Sequence, residues 1–158
     1  MRLWKVSSSV VALVLYTGVS IVFLFPMRRH PFSTLLDPYD GLFITWTMSW
    51  VIRALTTVPA LLYHAPIFSP YQYALTFSDP MFTGALIALP FVLLTHQPII
   101  ANTINLFLAT VLTAWFTFLF LKAQLGNAKA AFLGGLYAGF SVTHLHYLGH
   151  LHTYMVQF

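Results

Sequence analysis

Asp37 and Asp40 stand together in HPFSTLLDPYDGLF, directly after a long apolar stretch, and with Asp79 they are the only acidic residues of the chain. A carboxylate beside a hydrocarbon phase is expensive to keep, so a pair retained at such a boundary is a functional-site candidate. The same residues also fit a local duty. Asp37, then Pro38, then Asp40 reads as an N-cap, a first-turn proline and an acid at the third helical position, which satisfies backbone N–H groups and favours the helix dipole. Ser78-Asp79-Pro80 repeats the Asp-Pro start ahead of Met81. Capping does not exclude chemistry, because a helix N-terminus at a membrane surface is also where an anionic phosphate settles.

Histidines 144, 146, 150 and 152 form the second constellation. His146 and His150 are four residues apart and share one face of a helix, a spacing that can hold a divalent metal ion between two imidazoles. No carboxylate or thiolate lies in that segment, so a complete site needs a further ligand from Asp37, Asp40 or Asp79. A weakly basic collar where a helix meets water explains the same histidines without a metal.

The elements that must position these residues are apolar. The chain is 59% hydrophobic and 17% aromatic, only 6% charged, and has a mean hydropathy of +0.81, against about 25% charged residues in soluble domains. An all-α, polytopic transmembrane bundle is expected. The seven Lys and Arg lie scattered toward the ends of apolar segments and form no run, a placement that suits topology and headgroup contact and argues against nucleic-acid binding. With no Cys in the chain, disulfides and thiolate ligands are excluded.

Residues 1–158 are read as a single transmembrane domain with spans at about 6–25, 99–121 and 130–145. Arg2 and Lys5 precede the first stretch as in a signal peptide, but its length, the lack of a clear cleavage site and the spans that follow make it an uncleaved anchor ending at Pro26. Residues 81–95, with Pro90 inside, would reach only about 22 Å as a helix, so this segment is re-entrant or a fourth span. If it does not cross, Lys122 and Lys129 lie in the cytoplasm with Arg2 and Lys5, as the positive-inside rule prefers. Residues 26–98 then form one outer-face region, to which the chain returns near His144. The apolar run TYMVQF closes the sequence without a stop signal, so a fragment of a longer protein is expected.

Within that region Phe43, Trp46, Trp50 and Arg53 recur at helical spacing, with Thr45, Thr47 and Ser49 between them. This pattern fits a helix lying in the membrane interface or aromatic packing against neighbouring spans. Ala131, Gly135 and Gly139 repeat every four residues, a small-residue face that admits a close helix. Asn102 and Asn105 begin a span and are placed to bond across helices or to cap. Phosphate-binding glycine loops, serine-histidine-aspartate orders and nucleic-acid modules are absent.

The order of segments carries one further reading. A first span is followed by LLDPYDGLFITWTMSW, PIFSPYQYALTFSD, ALPFVLLTHQPIIANTINLFLATVLTAWF, LKAQLGNAKAAFLGGLYAGFS and HLHYLGHLH. This string resembles the N-terminal part of bacterial polytopic glycosyltransferases of the GT-C superfamily, the group that includes protein O-mannosyltransferase-like enzymes. The resemblance covers nearly the whole chain but rests on loose ordered patterns. It implies a multi-pass protein of the inner (plasma) membrane that transfers a sugar from a polyprenyl-phosphate carrier to an acceptor at the outer face. An Asp in the first extracytoplasmic loop would act as general base, with Asp40 the first choice and Asp37 the second. Arg28, Arg29 or Arg53 would supply the cation for the departing lipid phosphate. The alternatives are a non-catalytic membrane subunit or transporter element, and a membrane protein that binds metal or haem through its histidines.

Overall fold

The structure, a computed structural model, describes residues 2–141; within this range the side chains of 2–7, Pro26 and Arg28 fall outside the description. All regular structure among the described residues is helical: α1 (Arg2–Phe23), α2 (Phe25–Arg29), α3 (Asp40–Thr57), α4 (Phe82–Thr95), α5 (Ile100–Leu125) and α6 (Ala128–Phe140), with two short 3-10 turns between α3 and α4.

Helix α5 is the axis on which the others pack. It is 26 residues long, about 39 Å at 1.5 Å per residue, and touches α1, α3, α4 and α6. Its first half carries one core, in which Ala101 and Leu106 meet Met27, Ile44, Met48, Val51, Met81 and Ala85. Its second half carries another, where Ala114 and Phe118 meet Ala12, Tyr16 and Ala131. The α3–α4 layer and the α1–α6 layer are therefore built on opposite halves of one helix.

Local chemistry explains most boundaries. Gly126 closes α5 with φ of +64°, its N–H donating to the Lys122 carbonyl, and the Asn127 side chain opens α6 by accepting from the N–H groups of Lys129 and Ala130. The chain does not stop being helical at Pro26. The ladder continues with Leu24 N–H donating to Ser20 O at 2.9 Å, and Pro26 sits in the first turn of α2, where its missing N–H costs nothing. Pro90 is accommodated inside α4.

One helix among the described residues, Ile100–Leu125, is long and apolar enough to cross a membrane; Ser8–Phe23 and Phe82–Thr95 are shorter apolar helices. At 14 residues, α4 measures about 21 Å, and the 13 described residues of α6 measure about 20 Å. Of the spans read from the sequence, the one at 99–121 thus meets the length requirement, and its helix runs on to Leu125, where Gly126 ends it.

The apolar cores also admit polar side chains, and large apolar side chains lie on the outside as well. Ser20, Thr45, Thr47, Asn102, Asn105, Thr110 and Thr113 are buried, while Val14, Val22, Leu86, Leu94, Phe120 and Leu133 are exposed on the helix surfaces. In helix α6, Ala131, Gly135 and Gly139 face inward, and Leu133 and Tyr137 face out.

Candidate functional site

The starts of α3 and α4 come together around a cavity of about 290 Å³ whose lining includes Asp40, Phe43, Thr47, Ser78, Asp79 and Met81. Two of the three acidic residues thus share one cleft, although 39 positions separate them in sequence (79 − 40 = 39). Ile44 and Met81 anchor this cleft in the first core, so its floor is fixed by apolar packing while the carboxylates stand at its rim. Two helix N-termini beside it add partial positive charge, which lowers the cost of holding two acids near each other.

Asp37 has a different position. It does not line the cleft. Its carboxylate accepts the Tyr39 N–H at 2.8 Å and its carbonyl accepts the Gly41 N–H at 3.1 Å, a turn that leads into α3. The N-cap of that helix is Tyr39, with no side-chain cap bond, so Asp37 is not the N-cap and Asp40 is not the third helical residue that the spacing led one to expect. Asp79 accepts the Met81 N–H at 3.0 Å, so the two Asp-Pro segments form the same side-chain turn ahead of α3 and α4. Asp40 is the first residue of α3.

The arginines are spread. Arg53 lies 13 residues beyond Asp40 on the same helix (53 − 40 = 13), about 20 Å along its axis, so helix geometry sets it away from the cleft. Arg29 is exposed and its guanidinium stands 5.8 Å from the centre of the Phe25 ring. Neighbouring Met27 belongs to the same core as Ile44 and Met81, which puts α2 on the half of the molecule that carries the acids. The Arg28 side chain, and His146 and His150 with the whole histidine cluster, lie outside the described residues. Among the described residues no group of three His, Cys, Asp or Glu is placed to hold a metal ion.

The aromatic helix is packed more deeply than its pattern implied. Thr45 and Thr47, read as interruptions of an interfacial face, are buried, and the inward side of α3 runs through Ile44, Met48, Val51 and Ile52. Hydroxyl bonding within the helix makes this tolerable for Thr47, which donates to Phe43 O at 2.9 Å, while the buried Thr45 hydroxyl has no hydrogen-bond partner among the described residues; Ser49 donates to the Thr45 carbonyl at 2.7 Å. Trp46 and Trp50 pack half-buried on the first core, and the Trp50 indole donates to Leu62 O at 2.9 Å. That bond ties α3 to the loop of residues 58–81, where Phe68, Tyr71, Tyr73 and Phe77 are exposed.

Sequence reasoning missed the pairing of Asp40 with Asp79. The repeated Asp-Pro motif was the available signal, since two helices with like starts present like ends. Comparison of the chain with protein-family models, curated proteins and solved structures finds no match.

Proposed function

We propose that this chain is a multi-pass inner-membrane protein of glycosyltransferase type, with Asp40 at its reaction centre. The observation that supports the membrane reading is the set of large apolar side chains exposed on the helix surfaces. Exposed Val, Leu and Phe suit a lipid surround, where buried polar groups such as Asn105 and close small-residue contacts such as those of Gly135 and Gly139 help to hold helices together. The exposed Phe68, Tyr71, Tyr73 and Phe77 suit the headgroup level, where aromatic rings concentrate.

For the chemistry, Asp40 lines the cleft and Asp37 does not, which favours the former as base. The acceptor hydroxyl would lose its proton to Asp40 as its oxygen bonds the anomeric carbon; the bond from that carbon to the carrier phosphate breaks, and the polyprenyl phosphate leaves. Arg29, on the same half of the molecule, is then better placed than Arg53 to meet the leaving phosphate. A second reading, a non-catalytic membrane subunit, is favoured by the backbone hydrogen bonds that already occupy Asp37 and Asp79.

One comparison separates the two. With protein in liposomes and a polyprenyl-phosphate-linked hexose as donor, Asp40→Asn is expected to lower transfer by about 100-fold or more while membrane insertion is unchanged. Undiminished transfer removes Asp40 from the chemistry. No transfer by the unmodified chain, together with a silent Asp40→Ser, supports the subunit reading.

A further inference from the structure

We propose that the cleft between the starts of α3 and α4 holds one neutral sugar ring, so that the acceptor hydroxyl of the transfer belongs to a hexopyranoside and not to a serine or threonine of a peptide. The inference rests on the transfer reading above and names its acceptor class. At about 290 Å³, the cleft lies at the lower end of ligand pockets, which run from about 300 to 1,000 Å³. That is room for a single ring and not for a length of chain. A peptide held by its main chain also needs backbone groups to pair with. Around the two helix starts, the N–H groups of Tyr39, Gly41, Phe43 and Met81 are already bonded within the chain, to Asp37 Oδ1, Asp37 O, Tyr39 O and Asp79 Oδ1.

The lining carries what a pyranose uses. Asp40 and Asp79 present carboxylates, which when ionised only accept hydrogen bonds, and the Thr47 hydroxyl gives its proton to the Phe43 carbonyl at 2.9 Å. Asp79 holds the Met81 N–H with Oδ1; a carboxylate has about four acceptor positions, so that bond leaves room for a ligand hydroxyl. Among the described residues of the lining, Ser78 adds a hydroxyl and none is Lys, Arg or His. A ligand seated here therefore has to bring donors. Sugar hydroxyls do so, whereas a phosphate or carboxylate brings acceptors. The apolar face of the sugar has its own match in Phe43, which lines the cleft, is 36% exposed and lies nearly parallel to Trp46, at 19° and 6.5 Å between ring centres. Trp46 packs on the first core, so this ring is held in place before a ligand arrives, and its electron-rich face suits the polarised C–H groups of a pyranose. With Asp40 as base at one hydroxyl, Asp79 and Ser78 are positioned to fix the neighbouring ones.

The test adds methyl glucoside, methyl mannoside and methyl galactoside to the full chain in a zwitterionic, sugar-free detergent and follows contact by saturation-transfer difference NMR, with N-acetylserine amide and glycerol phosphate as the competing chemistries. At least one hexoside is expected to bind, with the strongest saturation on the C–H groups of one ring face. Asp79→Asn keeps an acceptor for the Met81 N–H and should weaken binding by about fivefold or more; Phe43→Leu should do the same, and Phe68→Leu, outside the cleft, should leave it unchanged. No hexoside binding by the unmodified chain, binding that survives Phe43→Leu together with Asp79→Asn, or tighter binding of the serine amide or of glycerol phosphate would each overturn the sugar site. The comparison of ligands on the unmodified chain needs no variant to fold. Displacement of the hexoside by a polyprenyl-phosphate-linked hexose would give the ring to the donor and overturn the acceptor assignment. Hexoside binding without any sugar transfer overturns the transfer reading and keeps the ring site; transfer to a serine peptide without hexoside binding overturns the ring site alone.

Discussion

Asn105 of α5 donates a hydrogen bond of 3.0 Å from Nδ2 to the carbonyl oxygen of Gly84 in α4. The same amide reaches Ala101 O at 2.7 Å and Met48 Sδ at 3.5 Å, so a single buried side chain fastens α3, α4 and α5. Its Oδ1 has no partner, which means that the donor end carries the interaction. Asn105→Ala is expected to lower stability by about 1 kcal/mol, the scale of a hydrogen bond between membrane helices. Asn105→Asp should cost more, because a carboxylate turned toward two carbonyls has no N–H to give. Thermal unfolding in detergent reads both, and an Asp variant as stable as the parent would show that the amide is not the fastening.

The acids separate by the same measurement. Asp37→Ala and Asp79→Ala each remove an acceptor for a backbone N–H and are expected to cost about 1 kcal/mol, whereas Asn or Ser in their place should restore most of it. Asp40→Asn should change stability by only about 0.3–1 kcal/mol, as the loss of a charge in a first helical turn does. A loss at Asp40→Asn as large as at Asp37→Ala would make Asp40 a structural cap.

These residues also show what the sequence makes legible. Side-chain turns at Asp37 and Asp79 involve neighbours two residues on, and the turn at Gly126-Asn127 is equally local, so type and spacing suffice to foresee them. The small-residue face of α6 is visible because a helix places every fourth residue on one side. The shared cleft of Asp40 and Asp79 depends on how α3 and α4 settle on α5, and no local pattern encodes that. Thr47 shows a related limit: a hydroxyl that bonds to the carbonyl one turn back can be buried, whereas Thr45 is buried with its hydroxyl unpartnered among the described residues, which no local pattern announces. Asn102 and Asn105 were foreseen as groups that bond across helices or cap, but only packing chooses Gly84 as the partner of Asn105.

Topology can be read cleanly, because the chain has no cysteine to remove. Tyr71 lies in the aromatic loop and Gln124 in the last turn of α5, and both are exposed. If α5 crosses the membrane with residues 26–98 outside, Tyr71→Cys is labelled by an impermeant maleimide on intact cells, and Gln124→Cys only after permeabilisation. Leu133→Cys, on the exposed face of α6, should resist aqueous label on both sides. Labelling of Tyr71→Cys and Gln124→Cys from the same side would refute the crossing.

The tightest contact between layers is that of α6 against α1 and α5, and it makes an expectation about coupling. A Cβ added at Gly135 would meet the Tyr16 hydroxyl and, at 2.6 Å, the Ala114 carbonyl. At Gly139 it would meet Ala114 Cβ at 2.7 Å and Thr110 O at 3.1 Å. Backbone cannot yield as a side chain does, so each Gly→Ala change is expected to cost about 1–3 kcal/mol. Gly134→Ala meets only the end of the Leu121 side chain, and Gly18→Ala meets nothing within 4 Å; the latter should be neutral or stabilising by up to about 1 kcal/mol. Tyr16 lets the contact be dissected. Its hydroxyl donates to Phe132 O at 2.9 Å, and its ring stacks on Phe132 at 4.9 Å. Tyr16→Phe loses the hydrogen bond, about 1 kcal/mol, but keeps the stack and removes the nearest contact at Gly135, leaving Tyr16 Cζ at 2.8 Å and the Ala114 carbonyl at 2.6 Å. The double variant Tyr16→Phe with Gly135→Ala should therefore be more stable than the sum of the single losses implies, by about 0.5 kcal/mol or more. Combining Tyr16→Phe with Gly139→Ala instead should be additive, since the atoms nearest a Cβ at Gly139 all belong to α5. Equal coupling in the two pairs would mean that α6 moves away as a unit and that its fit against Tyr16 is not what holds it in place.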